Sequence, residues 1–171
     1  MALQGPDASP RLTPAVSQVE ARDNFTGGGI VGRGSELWDR FETALTEHDF
    51  DRVVSLFANG AVYIEPAGRH EGRAAIRAWL DQWGDGVSDT NFETLLVVAD
   101  GDVIIAERAG TGTHTGPLTA LDGSVVPPSG KTVVFPGVVT ILRVYGGKIV
   151  EVHEYFDQLT ILRQLGLVPG T

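Results

Sequence analysis

"KTVVFPGVVTILRVYGGKIVEVHEYFD", Lys131 to Asp157, holds two long runs rich in β-branched and aromatic residues, joined at Gly146-Gly147. Paired glycines supply the positive φ of a tight hairpin, so residues 131–144 and 148–156 are expected to be antiparallel neighbours. Pro136 and Gly137 interrupt the first run, which predicts a bulge or sharp bend rather than a flat sheet. Along the second run, alternation puts Val150, Val152, Glu154 and Phe156 on one face and Ile149, Glu151, His153 and Tyr155 on the other. Glu154 is thus the one carboxylate on an apolar face.

Working backwards from this hairpin, two further strands are expected over residues 91–99 and 103–114, linked by the Asp-Gly turn of "ADGD". Residues 115–130 form a longer connection. "EGRAAIRAWLDQWGDG" sets Ile76, Trp79, Leu80 and Trp83 on one helical face and ends at glycine. "NGAVYIEP" reads as a turn and a strand with Ala61, Tyr63 and Glu65 on one face, stopping at Pro66. Leu37, Trp38, Phe41, Ala44 and Leu45 form the stripe of an amphipathic helix beginning near Ser35 as N-cap, and a short helix is expected over 50–58. Asp157 is placed to cap a last helix, "QLTILRQLG".

Residues 1–33 are rich in Pro, Gly, Ser and Asp and read as a flexible N-terminal arm, leaving one domain over 34–171. "GGGIVG", Gly27 to Gly32, fits a dinucleotide-binding spacing by letter, but no buried strand precedes it, so it reads as a hinge. Helices grouped in front of long antiparallel strands make an α+β protein, with the helices packed on one side of a bent sheet. A strongly curved sheet closed by helices encloses an apolar cavity, the default ligand site.

Composition narrows the function. The 171 residues carry 13 Lys and Arg against 22 Asp and Glu, a formal charge of -9, which disfavours nucleic acid and anionic membrane surfaces as partners. Without cysteine there is no disulfide, thiolate nucleophile or Cys-ligated zinc. His48, His70, His114 and His153 have no metal-site spacing, so no metal is expected. The first twenty residues lack the basic start and apolar core of a secretory signal, and no run approaches the roughly 20 apolar residues of a membrane span. A cytoplasmic protein is expected.

The candidate chemistry centres on Glu154 as a general acid/base, since a desolvated carboxyl can shuttle a proton to or from carbon. Arg108, co-facial with Ile104 and Ala106, is its expected charged neighbour, holding the carboxylate or polarising a substrate carbonyl. Tyr63 and Glu65 are placed to hydrogen-bond a ligand at the cavity mouth, with His114 at the rim and Trp79, Val152 and Phe156 on the walls. His153 points away, toward a surface where Ile149 and Tyr155 look too apolar for open solvent, so a homo-oligomer, dimer or tetramer, is expected.

"GTHTG" (112–116), "PPSGKTVVF" (127–135), "GGKIVEVHEYFD" (146–157) and "LRQLGLVP" (162–169) together resemble the SnoaL-like polyketide cyclases of the nuclear-transport-factor-2-like (NTF2-like) superfamily. The resemblance covers about residues 34–169. It implies an α+β cone and a cofactor-independent ring closure of aldol type on a small hydrophobic substrate. The family's last-strand pattern, close to E-H-W-D, falls on Glu151, Val152, His153 and Glu154, so its acid/base aspartate corresponds to Glu154. Two departures accompany this: the family's His is Val152, and its Asp is a Glu. "VYIEP", "ERAG" and "EYFD" also resemble segments of limonene epoxide hydrolases, carrying that family's tyrosine to Tyr63, its arginine to Arg108 and one acid to Glu154. There its water-holding asparagine falls on Glu65 and its other acid on Gly110. A non-catalytic module that holds a hydrophobic ligand is the third reading.

Overall fold

A computed structural model describes residues 33–119 and 124–168. The expected N-terminal arm and its glycine-rich segment lie almost wholly outside the described residues. Helix α1 spans Arg33–Thr46 and α2 Phe50–Ser55, followed by strands β1 (Phe57–Glu65) and β2 (Gly68–Glu71) and helix α3 (Gly72–Gly86). Then come β3 (Asn91–Asp100), β4 (Val103–Thr113), the two-residue strands β5 (Leu118–Thr119) and β6 (Val125–Val126), β7 (Thr132–Tyr145), β8 (Lys148–Phe156) and α4 (Gln158–Leu165). Six strands form one open sheet in the order β2-β1-β8-β7-β4-β3, antiparallel except where β1 meets β8.

The sheet bends at its bulges, because an extra residue on one strand locally increases twist and curvature. Arg108 on β4 pairs with Val138 and Gly110 with Phe135, so β7 carries one extra residue at Pro136-Gly137, as the sequence indicates. A second bulge lies on β3 at Leu95, between the pairs Thr94 with Arg108 and Leu96 with Glu107. A third falls on β8, where Arg143 pairs with Glu151 but Val144 pairs with Ile149. This last bulge corrects the expected alternation. Ile149 is fully buried in the core with Val152, because the extra residue at Val150 shifts the parity of everything before it.

Helices α1, α3 and α4 pack against β3 and β4, β1 and β2, and β7 respectively. The main core joins Trp38, Phe41 and Ala44 of α1 to Phe57 and Tyr63 of β1, Ile76 and Leu80 of α3, and Leu142 of β7. Each of the larger side chains, fully buried, contributes about 1.5–3 kcal/mol. A second cluster, Val133, Phe135, Val138 and Leu165, holds α4 onto the far end of β7.

Several boundaries differ from expectation. α1 begins at Arg33, placing Ser35 inside its first turn rather than at the cap. α2 stops at Ser55, capped at its start by Asp49, because Phe57 is drawn into the sheet opposite Ile149. Asn59-Gly60 is an irregularity within β1 rather than a turn, and β2 is a short edge strand the sequence pattern does not announce. Asp157 caps α4 as expected, its side chain accepting from the Thr160 amide. Among the described residues, no helix is long and apolar enough to cross a membrane.

Candidate active site

The concave face of the sheet and the helices over it enclose a cavity of about 470 Å³ lined mainly by apolar side chains, among them Trp79, Trp83, Phe92, Phe135 and Phe156. Polar side chains in its lining come from several elements, among them Glu42 from α1, Tyr63 and Glu65 from β1, His70 from β2, Arg108 from β4 and Glu154 from β8. Strand register brings the central ones together. Thr140 lies directly across from Glu154 on the β7–β8 pair, and Ala106, two residues before Arg108, lies across from Thr140.

Three donors converge on the buried Glu154 carboxyl. Tyr63 Oη donates to Oε2 at 2.9 Å, while Thr140 Oγ1 at 3.2 Å and Arg108 Nη2 both donate to Oε1. Arg108 Nη2 also donates to Thr140 Oγ1 at 2.9 Å. An acceptor-only group with donors on both oxygens is what an ionised carboxylate satisfies best. Burial and the adjacent Glu154 charge push the Tyr63 phenol well above its ordinary range, so it stays a neutral donor.

Arg108 has a second carboxyl on its other side. Its Nη1 donates to Glu42 Oε2 at 3.3 Å, and its guanidinium lies 5.0 Å from the Phe92 ring and 5.7 Å from the Trp38 ring. Arg108 is 3% exposed, so this one buried cation serves two carboxyl groups. Burial raises the Glu42 pKa above the ordinary glutamate value; Arg108 opposes that rise and Glu154 adds to it. Glu42 Oε1 is buried and has no hydrogen-bond partner among the described residues.

Glu65, 8% exposed, accepts from the Ala67 amide at 2.8 Å and lies 3.3 Å from His70 Nε2. His70 stacks on Trp79, which in turn packs on Tyr63. A polar row thus crosses the cavity from His70 through Glu65, Tyr63 and Glu154 to Arg108 and Glu42. Among the described residues no three His, Asp or Glu side chains are grouped to hold a metal ion.

Six of the eight expected site residues line this cavity: Tyr63, Glu65, Trp79, Arg108, Glu154 and Phe156. Two do not. Val152 is fully buried in the core behind the cavity wall. His114, expected at the rim, is fully buried where its backbone clamps Gly130 and Lys131, with Nδ1 3.1 Å from Ser129 Oγ. Sequence reasoning missed Glu42 and Thr140, although each left the signal that exposed Glu154. Glu42 sits between Trp38 and Leu45 on the apolar stripe of α1, and Thr140 between Val138 and Leu142 on the buried face of β7.

The profile of the SnoaL-like domain matches residues 38–152. No curated protein matches the chain. Among solved structures, one assigned as a SnoaL-like polyketide cyclase from Jannaschia sp. superposes with a TM-score of 0.70 at 21% identity, covering 80% of this chain and 93% of that one. AclR from Streptomyces galilaeus, assigned as a hydroxylase, gives 0.69 at 20% identity over 81% of this chain and 83% of that one. An epoxide hydrolase of limonene-epoxide-hydrolase-like type from M. tuberculosis gives 0.58 at 21% identity over 77% and 88%. At such identities the likeness concerns the fold, and three differently assigned proteins on one fold leave the reaction to be argued from the site. The profile match over two thirds of its length places this chain in the SnoaL-like family.

Proposed function

We propose that the protein is a cofactor-independent acid/base enzyme that closes a ring in, or isomerises, a hydrophobic small molecule held in the cone, in the manner of a polyketide-type cyclase. The observation that carries this reading is the Glu154 carboxyl, buried at an apolar cavity with Tyr63, Thr140 and Arg108 donating to it. A carboxylate positioned this way removes a proton from an enolisable carbon. The C–H bond breaks and its electron pair forms the enolate, whose carbon attacks a second carbonyl; the C–C bond forms as that carbonyl's π pair moves to its oxygen, which takes up the proton that Glu154 gives back. Fixed donors and water-poor walls favour such a step because they need no reorganisation as charge moves.

A second reading, epoxide opening, is supported by one feature: Arg108 lies between two carboxyl groups, Glu42 and Glu154, so one could activate water while the other protonates the leaving oxygen. The two readings separate on a panel of probes. Hydrogen–deuterium exchange at the α-carbon of a hydrophobic ketone such as 2-tetralone supports cyclisation or isomerisation chemistry; hydrolysis of a hydrophobic epoxide supports the alternative. Absence of both with wild-type protein would contradict the enzymatic reading and leave hydrophobic-ligand binding.

The same proposal includes a homo-oligomer assembled through the outer face of the sheet. Leu96, Glu107, Val139 and Tyr155, and beside them Val98, Ile105, Ile141 and His153, form two cross-strand rows there, and most of their apolar side chains are exposed.

A further inference from the structure

We propose that Glu42 on α1 is the second proton-transfer group of this site, giving a proton to the oxygen that gains charge while Glu154 takes one from carbon. This rests on the acid/base reading above and deepens it. The substrate class it implies is a hydrophobic molecule whose enolisable carbon and carbonyl oxygen reach Glu154 and Glu42 together.

Charge balance comes first. One arginine, 3% exposed, faces two carboxyls, and a buried cation neutralises only one of them. The donors decide which. Glu154 receives Tyr63, Thr140 and Arg108, whereas Glu42 receives Arg108 alone, and its Oε1 is buried without a partner among the described residues. A buried carboxyl with one oxygen unpartnered costs less as a neutral acid than as a carboxylate, because burial penalises the charged form. Its raised pKa agrees in direction.

Position comes second. Glu42 lines the same cavity as Glu154 and is joined to it through a single guanidinium. Strand β4 does not offer an alternative acid two residues beyond Arg108. A side chain at Gly110 would run into the Asn91 backbone carbonyl and the Phe92 ring. The acid is therefore supplied from the helix.

The step balances. Glu154 accepts the carbon-bound proton, the C–H electron pair becomes the enolate, and Glu42 gives its proton to the oxygen, ending as the carboxylate. The negative charge passes from one side of Arg108 to the other, so the guanidinium stabilises both ends of the transfer. Transfer of the proton from Glu154 to carbon, together with return of the oxygen's proton to Glu42, resets the pair.

The test uses the full-length protein and infrared spectroscopy in D2O at neutral pH, where solvated carboxyls are ionised and a protonated one gives a separate C=O band. The wild type is expected to show that band, Glu42→Gln to lack it, and Glu154→Gln, which leaves Arg108 to Glu42 alone, to show it weakened. No band in the wild type, or an undiminished band in Glu42→Gln, would overturn the proposal. In parallel, α-proton exchange of 2-tetralone is expected to slow about 10²-fold or more in Glu42→Gln. A wild-type rate in Glu42→Gln with a lost rate in Glu154→Gln would overturn the role of Glu42 and leave the acid/base reading standing. A wild-type rate in Glu154→Gln would overturn the reading itself.

Discussion

Arg108→Met is the substitution whose consequence follows most directly from the site. Methionine fills much of the arginine stem's volume but removes the cation that, among the described residues, pairs with both Glu154 and Glu42, which would be left facing an apolar cavity. Breaking a buried pair by deleting one partner costs about 3–5 kcal/mol, because the surviving charge stays desolvated. The packing of the guanidinium against Phe92 and Trp38 is lost as well. For a chain of this size each kcal/mol moves the melting temperature by about 2–4 °C, so a fall of about 6–20 °C is expected. Urea unfolding followed by tryptophan fluorescence measures the free energy, and Trp38 in the core reports the transition. The signature is in the double variant. Arg108→Met with Glu154→Gln removes the stranded charge and is expected to recover part of the loss, since neighbours in one network are not additive. A loss below 1 kcal/mol for Arg108→Met, or a double variant less stable than the single, would refute this account of the network.

Other expectations concern single features. Glu42→Gln is expected to flatten the pH dependence of stability: a carboxyl with a raised folded-state pKa binds its proton more tightly when folded, so the wild type loses stability as pH rises from the ordinary glutamate value through the raised one. Thermal melts across that window should show the variant gaining on the wild type with rising pH, and parallel curves would contradict the assignment. Gly110→Ala is expected to destabilise measurably in urea, since its Cβ meets the Asn91 carbonyl; an unchanged midpoint would show that the strand gives way. Light scattering at micromolar concentration is expected to give a dimer mass or larger for the wild type and a smaller mass for Val98→Lys with Tyr155→Lys. A monomeric wild type would contradict the outer-face assembly. Asp157→Ala is expected to cost about 1 kcal/mol in urea unfolding through loss of the α4 cap, and an unchanged midpoint would contradict that role.

Much of the frame was legible because strands betray themselves by period and hairpin glycines. The four long strands fall within about a residue of expectation, and the Pro136-Gly137 bulge is visible as two residues that cannot serve a flat ladder. Glu154 and Arg108 were found for one reason: each is a charge on an apolar strand face. The same logic failed at Ile149, where a bulge at Val150 reverses parity without any glycine or proline to announce it. It also failed at Phe57, whose helical neighbours mask a residue that tertiary pairing draws into β1. Glu42 was missed because a carboxylate on a helix is ordinarily a solvated one. Its position four residues after Trp38 and three before Leu45 was the signal. His114 misled because a loop histidine between glycines looks like a rim residue, whereas the loop folds over it.

Chemical rescue tests the central claim most directly. Glu154→Ala removes the carboxyl and leaves space for a small carboxylate beside Tyr63, Thr140 and Arg108. With 2-tetralone as the probe, α-proton exchange is expected to fall about 10²-fold or more in the variant and to rise again with added formate. Exchange at the wild-type rate in Glu154→Ala without formate would mean that another group moves the proton.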